Sequence, residues 1–359
     1  MAKIESHLGS LPEHYERLGL KKGEIALWED GTRTNSGEKG TYEWWYFDSH
    51  LDDGTSLVIV FYTKSMMSPQ TAPDPQVTFR LNRPGEAEYS QVYRPAKGEF
   101  SASKETCDVR IGHCYFRGDL RKYEIYYHDE SMEVSVTLQS EVPPWRPETG
   151  HIFFGKDDEN YFAWLPSVPE GKVTVEITRN GTTARKSGTG YHDHNWGNIN
   201  MRKVMHHWYW GRARIGDYQV ITSYIWAEKK YGYNEFPIFM IAKDGQILAD
   251  DGAKLRFTPQ GQFIEEETGK PVHDVLVYDY QDNRNHYRVS YRRKQSILNF
   301  PMVNDVHGVL RFLARLSGFD GAYHRFTGDG LIERLEAGRP VEKIESTALW
   351  ELMYFGKTV

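Results

Sequence analysis

The stretch GTGYHDHNWGN, Gly188 to Asn198, sets two histidines, an aspartate, an asparagine and a tryptophan between glycines. Histidine is the side chain whose ordinary pKa lies nearest neutrality, and a neighbouring carboxylate fixes its tautomer and raises its basicity. His194, oriented by Asp193 or by Asp48 from an earlier segment, is thus a candidate to move a proton without a cofactor. If the stretch is extended, alternation puts His192, His194 and Trp196 on one face, with Asp193 and Asn195 on the other. His-x-His on a strand also suits a pair of metal ligands. Zinc needs a third protein ligand, for which Asp48, Glu43, His206 or His207 would have to serve. The reading taken from the sequence is free of metal and of any cofactor. A third reading makes the same groups structural cross-links, each satisfied by backbone partners.

Aromatic residues surround this chemistry. Trp44, Trp45 and Tyr46 lie in EWWYFDSHL, and Trp208, Tyr209 and Trp210 lie in HWYWGRARIGDY. Ring faces attract positive charge, so they would hold a carbocation made by protonating an alkene. Alternation puts Trp44, Tyr46 and Asp48 on one face and Glu43, Trp45 and Phe47 on the other, leaving one acid beside aromatics on each. The candidate catalytic groups are His194, Asp193, His192, Asp48 and Glu43. The candidate substrate contacts are Trp196, Tyr46, Trp44, Trp208, Trp210 and Tyr224, the two tyrosines as phenol donors.

Strands must position these residues. Asp-Gly between apolar runs marks a hairpin from the Trp-rich segment into a strand at 57–62, and Asn180-Gly181 marks another after a strand at 172–178. Further strands are expected at 76–82, 123–127, 132–138, 238–242, 275–280, 287–291, 322–327 and 348–355. EWWYFDSHLDDGTSLVIVFY and HWYWGRARIGDYQVITSYIW share a plan, a Trp/Tyr-rich strand, a turn with Gly and Asp, and a β-branched return strand. Two β-domains built alike are expected, residues 1–190 and 191–359, with the glycine-rich segment as their seam and the pocket there. One late helix is expected in NDVHGVLRFLARLSGFDG, from Asn304, with Val306, Val309, Leu310, Leu313 and Leu316 on one stripe.

Composition narrows the function. Aromatics make up 14% of the 359 residues, which favours strands and a greasy ligand. A formal charge of −6 argues against nucleic acid, and Arg292, Arg293 and Lys294 read as a solvated strand face. No apolar run is long enough for a transmembrane helix, and the N-terminus has no secretory h-region, so a cytoplasmic protein is expected. Cys107 and Cys114 are too few for a disulfide scaffold and read as buried thiols. Nucleotide loops, the G-x-S-x-G elbow and HExxH are absent. Nothing in the sequence sets the oligomeric state.

EWWYFDSHL, GTGYHDHNWGN and WYWGRARIGDY, in this order and at this spacing, resemble the carotenoid 1,2-hydratase (hydroxyneurosporene synthase) and AttH-like family, which includes lipocalin-like Diels–Alderases. The resemblance implies an all-β fold of two tandem lipocalin-like (calycin) barrel or sandwich domains with an apolar pocket, the single late helix suiting such a barrel. It also implies cofactor-independent chemistry, either water addition to an isoprenoid alkene or a pericyclic closure. His194 and Trp196 match the hydratases' His-x-Trp pair. Their Tyr-x-Asp pair is missing, because the return strand here reads VITSYIWAE, with Ile221, Thr222, Ser223 and Tyr224 and no Asp. Either Asp193, Asp48, Glu43 or Asp217 donates the proton, or the reaction is not alkene hydration. The expected function is hydration, isomerisation or cyclisation of a hydrophobic isoprenoid- or polyketide-like molecule, by a hydro-lyase or an isomerase/cyclase. The competing readings are a non-catalytic carrier of a lipophile and a metal-dependent hydrolase using His192 and His194.

Overall fold

The computed structural model describes residues 5–34, 38–302 and 320–356. By internal contacts the chain divides into a first unit, Leu8–Asn200, and a second made of Met201–Val359 with Met1–His7. The division falls beyond the 190/191 boundary read from the sequence. The segment expected as a seam is instead an interior strand, paired along both edges within the first unit.

After a short strand β1 (Ser6–Leu8), the helix α1 (Pro12–Leu18) and a 3-10 turn at Leu27–Asp30, the described residues run almost wholly as strands. They are β2 (Tyr42–Leu51), β3 (Ser56–Tyr62), β4 (Gln76–Asn82), β5 (Tyr89–Tyr93), β6 (Phe100–Ala102), β7 (Cys107–Ile111), β8 (Cys114–Gly118), β9 (Lys122–His128), β10 (Glu133–Ser140), β11 (His151–Phe154), β12 (Asn160–Arg179) and β13 (Thr182–Gly197). Their order across the antiparallel sheet is β5-β4-β3-β2-β13-β12-β10-β9-β8-β7-β6, and β11 also pairs with β12. Inward residues such as Trp45, Phe47, Phe61, Phe79, Phe116 and Tyr127 form the core of this unit.

The second unit holds β14 (Met205–Ile215), β15 (Tyr218–Ala227), β16 (Glu235–Lys243), β17 (Gln246–Ala249), β18 (Leu255–Ile264), β19 (Pro271–Gln281), β20 (His286–Pro301), β21 (Ala322–Glu336) and β22 (Arg339–Tyr354), in the order β17-β16-β15-β14-β22-β21-β20-β19-β18. Its core includes Tyr209, Phe239, Tyr278, Tyr291 and Trp350. The shared plan of the two Trp-rich segments is real at the level of topology. In each unit the leading long strand, β2 or β14, pairs on one side with its own return strand and on the other with the last strand of that unit.

The local causes are visible. Asn180 and Gly181 both have positive φ, 52° and 74°, as a two-residue type I′ hairpin requires, and they join β12 to β13. Pro166 and Pro169 interrupt the pairing of β12, whose register shifts between Leu165 and Gly171, because proline has no N–H to give the ladder. Gly188 and Gly190 admit close neighbours, since a Cβ there would strike the His50 carbonyl and the Val173 side chain respectively. Cys107 and Cys114 are buried free thiols on successive strands. The basic run at 292–294 is a charged strand face, where Arg293 pairs with Asp274 at 2.5 Å and Lys294 with Asp329. The late helix read from Asn304 falls outside the described residues. No helix among the described residues is long and apolar enough to cross a membrane.

Candidate active site

Strand β13 carries the central motif in extended form, so its side chains separate by parity as the sequence predicts. On the inner face His192 lies opposite Phe47 of β2, and His194 lies between Trp45 of β2 and Leu165 of β12. On the outer face Tyr191 lies opposite Asp48, Asp193 opposite Tyr46, and Asn195 between Trp44 and Trp164. The motif therefore builds two polar sites back to back.

The outer site centres on Asp193, whose residue is 7% exposed. Trp164 Nε1 and the Tyr191 hydroxyl each donate to its Oδ2 at 2.8 Å, and Asn195 Nδ2 donates to Oδ1 at 2.7 Å. Burial pushes this carboxyl up to about 6, and the three donors offset the burial only in part. Beside it the Tyr46 hydroxyl donates to Asp48 Oδ2 at 3.1 Å. Half-buried Trp44 packs on Phe162 at 6.1 Å and leans on Tyr62 at 6.4 Å, which extends an aromatic surface from β12 across β2 to β3. Burial also pushes the Tyr62 phenol up to about 12.

The inner site is buried. His192, His194 and Glu43 are fully buried and Asp30 is 1% exposed. Asp30, on the 3-10 turn, receives the Tyr123 hydroxyl at 2.5 Å on Oδ2 and the Ser167 hydroxyl at 2.8 Å on Oδ1. His192 Nδ1 sits 2.9 Å from the Tyr46 carbonyl, which can only accept, so this nitrogen carries a hydrogen. Its Nε2 lies 3.2 Å from Asp30 Oδ2. His194 Nε2 lies 2.7 Å from Glu43 Oε1. Glu43 also accepts from the hydroxyls of Thr32 and Thr34 and from the backbone N–H groups of Arg33 and Thr34. Burial pushes the Asp30 carboxyl up, but the imidazoles of His192 and His194 and the Tyr123 hydroxyl outweigh it and hold the carboxyl below the usual range.

The candidate residues are thus regrouped. His194 is oriented by Glu43, not by Asp193 or Asp48, which lie across the strand. Trp196 is an inner-face residue, with its ring 4.7 Å from that of His194. Trp208, Trp210 and Tyr224 lie in the second unit and do not share one face. Tyr224 stands opposite Tyr209 in the core, stacks on Phe257 at 4.5 Å and donates to Glu235 at 2.6 Å. Trp208 and Trp210 alternate to the other side of β14, where Trp208 packs on Phe355 at 4.7 Å. The residues that sequence reasoning missed are Asp30, Trp164, Tyr123 and Ser167. Trp164 is reached only through strand pairing, and no spacing in the sequence links Asp30 to the motif.

A buried carboxyl thus lies beside an aromatic sheet face on the first of two like-built antiparallel β-units. Residues 131–260, which include the whole motif, match the family model of the carotenoid hydratase CrtC. The quinolone epoxide rearrangement protein asqO of Emericella nidulans is 29% identical over 196 residues, 50% of this chain and 53% of asqO. The chain thus spans about half the length of that curated relative. Among solved structures, CghA superposes with a TM-score of 0.60 at 14% identity, covering 89% of this chain and 90% of CghA. An AttH-like protein of Nitrosomonas europaea gives 0.54 at 15% identity, over 88% and 92%. The resemblance to the carotenoid hydratase and AttH-like family and the lipocalin-like all-β fold both stand on these matches.

Proposed function

We propose that the protein is an enzyme that protonates a hydrophobic isoprenoid- or polyketide-like small molecule on the outer face of β13, acting as a hydro-lyase or an isomerase/cyclase. The observation that carries this reading is the Asp193 carboxyl, fixed by Trp164, Tyr191 and Asn195 beside the rings of Trp44, Phe162 and Tyr62. A carboxylic acid so placed gives its proton to an alkene carbon or an epoxide oxygen, and the cation that forms is held against π faces. Water then adds with loss of a proton (hydration), a neighbouring proton leaves (isomerisation), or an internal double bond captures the cation (cyclisation). In each case the Asp193 carboxylate is the base that recovers the proton. Asp48, held by Tyr46, is the second acid on this face. The inner set of His192, His194 and Glu43 has no exposed atom to offer a substrate and serves to hold the strand. The names of the family and of asqO support an enzyme acting on molecules of this class.

The test is mass spectrometry of lipophilic extracts incubated with wild type and with Asp193→Asn, which keeps the shape and removes the acid. A feature changed by wild type, and changed at least about 100-fold more slowly by the variant, is expected. A gain of one water identifies hydration, and an unchanged mass at a new retention time identifies isomerisation or cyclisation. Equal rates for the two proteins sink the assignment of Asp193. A lipophile that co-purifies unchanged with both makes the protein a carrier.

A further inference from the structure

The inner site has a property that its hydrogen bonds do not explain. Each of its two histidines spends one ring nitrogen on an outer acceptor, His192 Nδ1 on the Tyr46 carbonyl and His194 Nε2 on Glu43. The remaining nitrogens, His192 Nε2 and His194 Nδ1, both face Asp30, at 3.2 Å from Oδ2 and 3.6 Å from Oδ1. His194 Nδ1 is buried and has no hydrogen-bond partner. An unmade bond on a buried polar nitrogen costs stability, and here a lone pair or an unused N–H points at a carboxylate. Cys107 joins Asp30 and His192, because one ligand atom from each of the three lies within 4.8 Å of the other two.

We propose that Asp30, Cys107 and His192 bind a divalent transition-metal ion, zinc by its ligand chemistry, with the unpartnered His194 Nδ1 facing the Asp30 end of the site. Thiolate, imidazole and carboxylate together suit tetrahedral zinc. The outer partner of His192 is one that metal-binding histidines use, because the Tyr46 carbonyl fixes its tautomer. Tyr123 and Ser167 do the same for Asp30. Binding releases the Cys107 thiol proton and the proton shared by His192 and Asp30 to solvent, leaving thiolate, carboxylate and one neutral imidazole on the ion. With its three ligands buried away from any substrate, the site is structural, tying the 3-10 turn and β7 to β13. It does not rest on the catalytic reading of Asp193, because its readout is metal and not turnover.

The experiment strips the full-length protein with chelator, confirms its fold by circular dichroism and titrates it with Co²⁺. The expected result is a thiolate-to-cobalt absorption in the near ultraviolet with visible bands of tetrahedral intensity, displaced by Zn²⁺. Cys107→Ser removes the near-ultraviolet band, whereas Cys114→Ser, on the next strand and outside the cluster, keeps it. A folded wild type that shows no cobalt spectrum overturns the proposal and leaves a network held by protons alone. So does equal loss of the band in the two cysteine variants.

Discussion

At the scale of single residues, the outer site turns on how Asp193 is held. Trp164 supplies an indole donor to Oδ2 and packs edge-on to Trp145 at 6.0 Å, so it positions the carboxyl without being the acid. Trp164→Phe keeps much of the packing and removes the donor. It is expected to destabilise the protein by about 1–3 kcal/mol and to lower kcat by about tenfold with little change in KM. A purely structural role would move stability and leave kcat alone; steady-state kinetics beside urea unfolding separates the two. His151 gives a pH prediction on the same unit. Burial holds its pKa down at about 4, helped by the charges of Arg146 and Arg17, while its bond to the Thr149 carbonyl opposes the shift. The unfolded chain takes up this proton near 6.5 and the folded one only near 4, so stability is full above pH 6.5 and falls as the pH drops to 4, by ~3 kcal/mol. His151→Phe should flatten that limb of the unfolding profile. Taking the difference between variant and wild type cancels Asp193, whose raised pKa acts with the opposite sign. Parallel profiles would refute the assignment.

At the scale of elements, the 3-10 turn at Leu27–Asp30 does for the inner site what β12 does for the outer one. It is locked by Arg146, whose Nε donates to Glu29 Oε2 at 2.8 Å and whose other nitrogens reach the carbonyls of Lys21, Glu24 and Glu148. Both charged side chains are 5% exposed. Arg146→Met therefore strands a buried carboxylate and is expected to cost about 3–5 kcal/mol, most of which Glu29→Gln in the same chain should restore. Thermal melts of the two variants check this; a double variant no more stable than Arg146→Met alone would contradict it. The turn also marks where sequence reading stopped. Alternation was enough to sort His192, His194 and Trp196 from Asp193 and Asn195, because a strand has one period and both its neighbours obey it. The same reasoning began β12 only at Lys172, since Pro166 and Pro169 hide its first half, and with it Trp164. Asp30 was illegible for a different reason. It approaches His192 across 162 positions of sequence, through a turn with no periodicity of its own.

At the scale of the whole molecule, one plan is used twice with different chemistry. Each unit closes its meander by pairing a last strand with a leading one, β13 with β2 and β22 with β14. In the second unit Glu351 stands opposite Trp210, much as Asp193 stands opposite Tyr46, but β22 has no histidine where β13 has two. The plan sets where a carboxyl meets an aromatic strand, and the residues written onto it set what that meeting does. Closure within a unit has a consequence for folding. The strand that carries the motif finds both its partners, β2 and β12, and its inner core inside Leu8–Asn200. A fragment of residues 8–200 should therefore fold on its own, with a single cooperative urea transition and dispersed amide resonances, and should bind Co²⁺ as the full chain does. A cut at 190/191 removes Tyr191 to Gly197 from between those two strands, leaving β2 and β12 without a partner on one edge. That shorter fragment should show a broad transition and exposed apolar surface. Equal cooperativity in the two fragments would mean that β13 is not integral to the first unit, and that the glycine-rich segment is a seam after all.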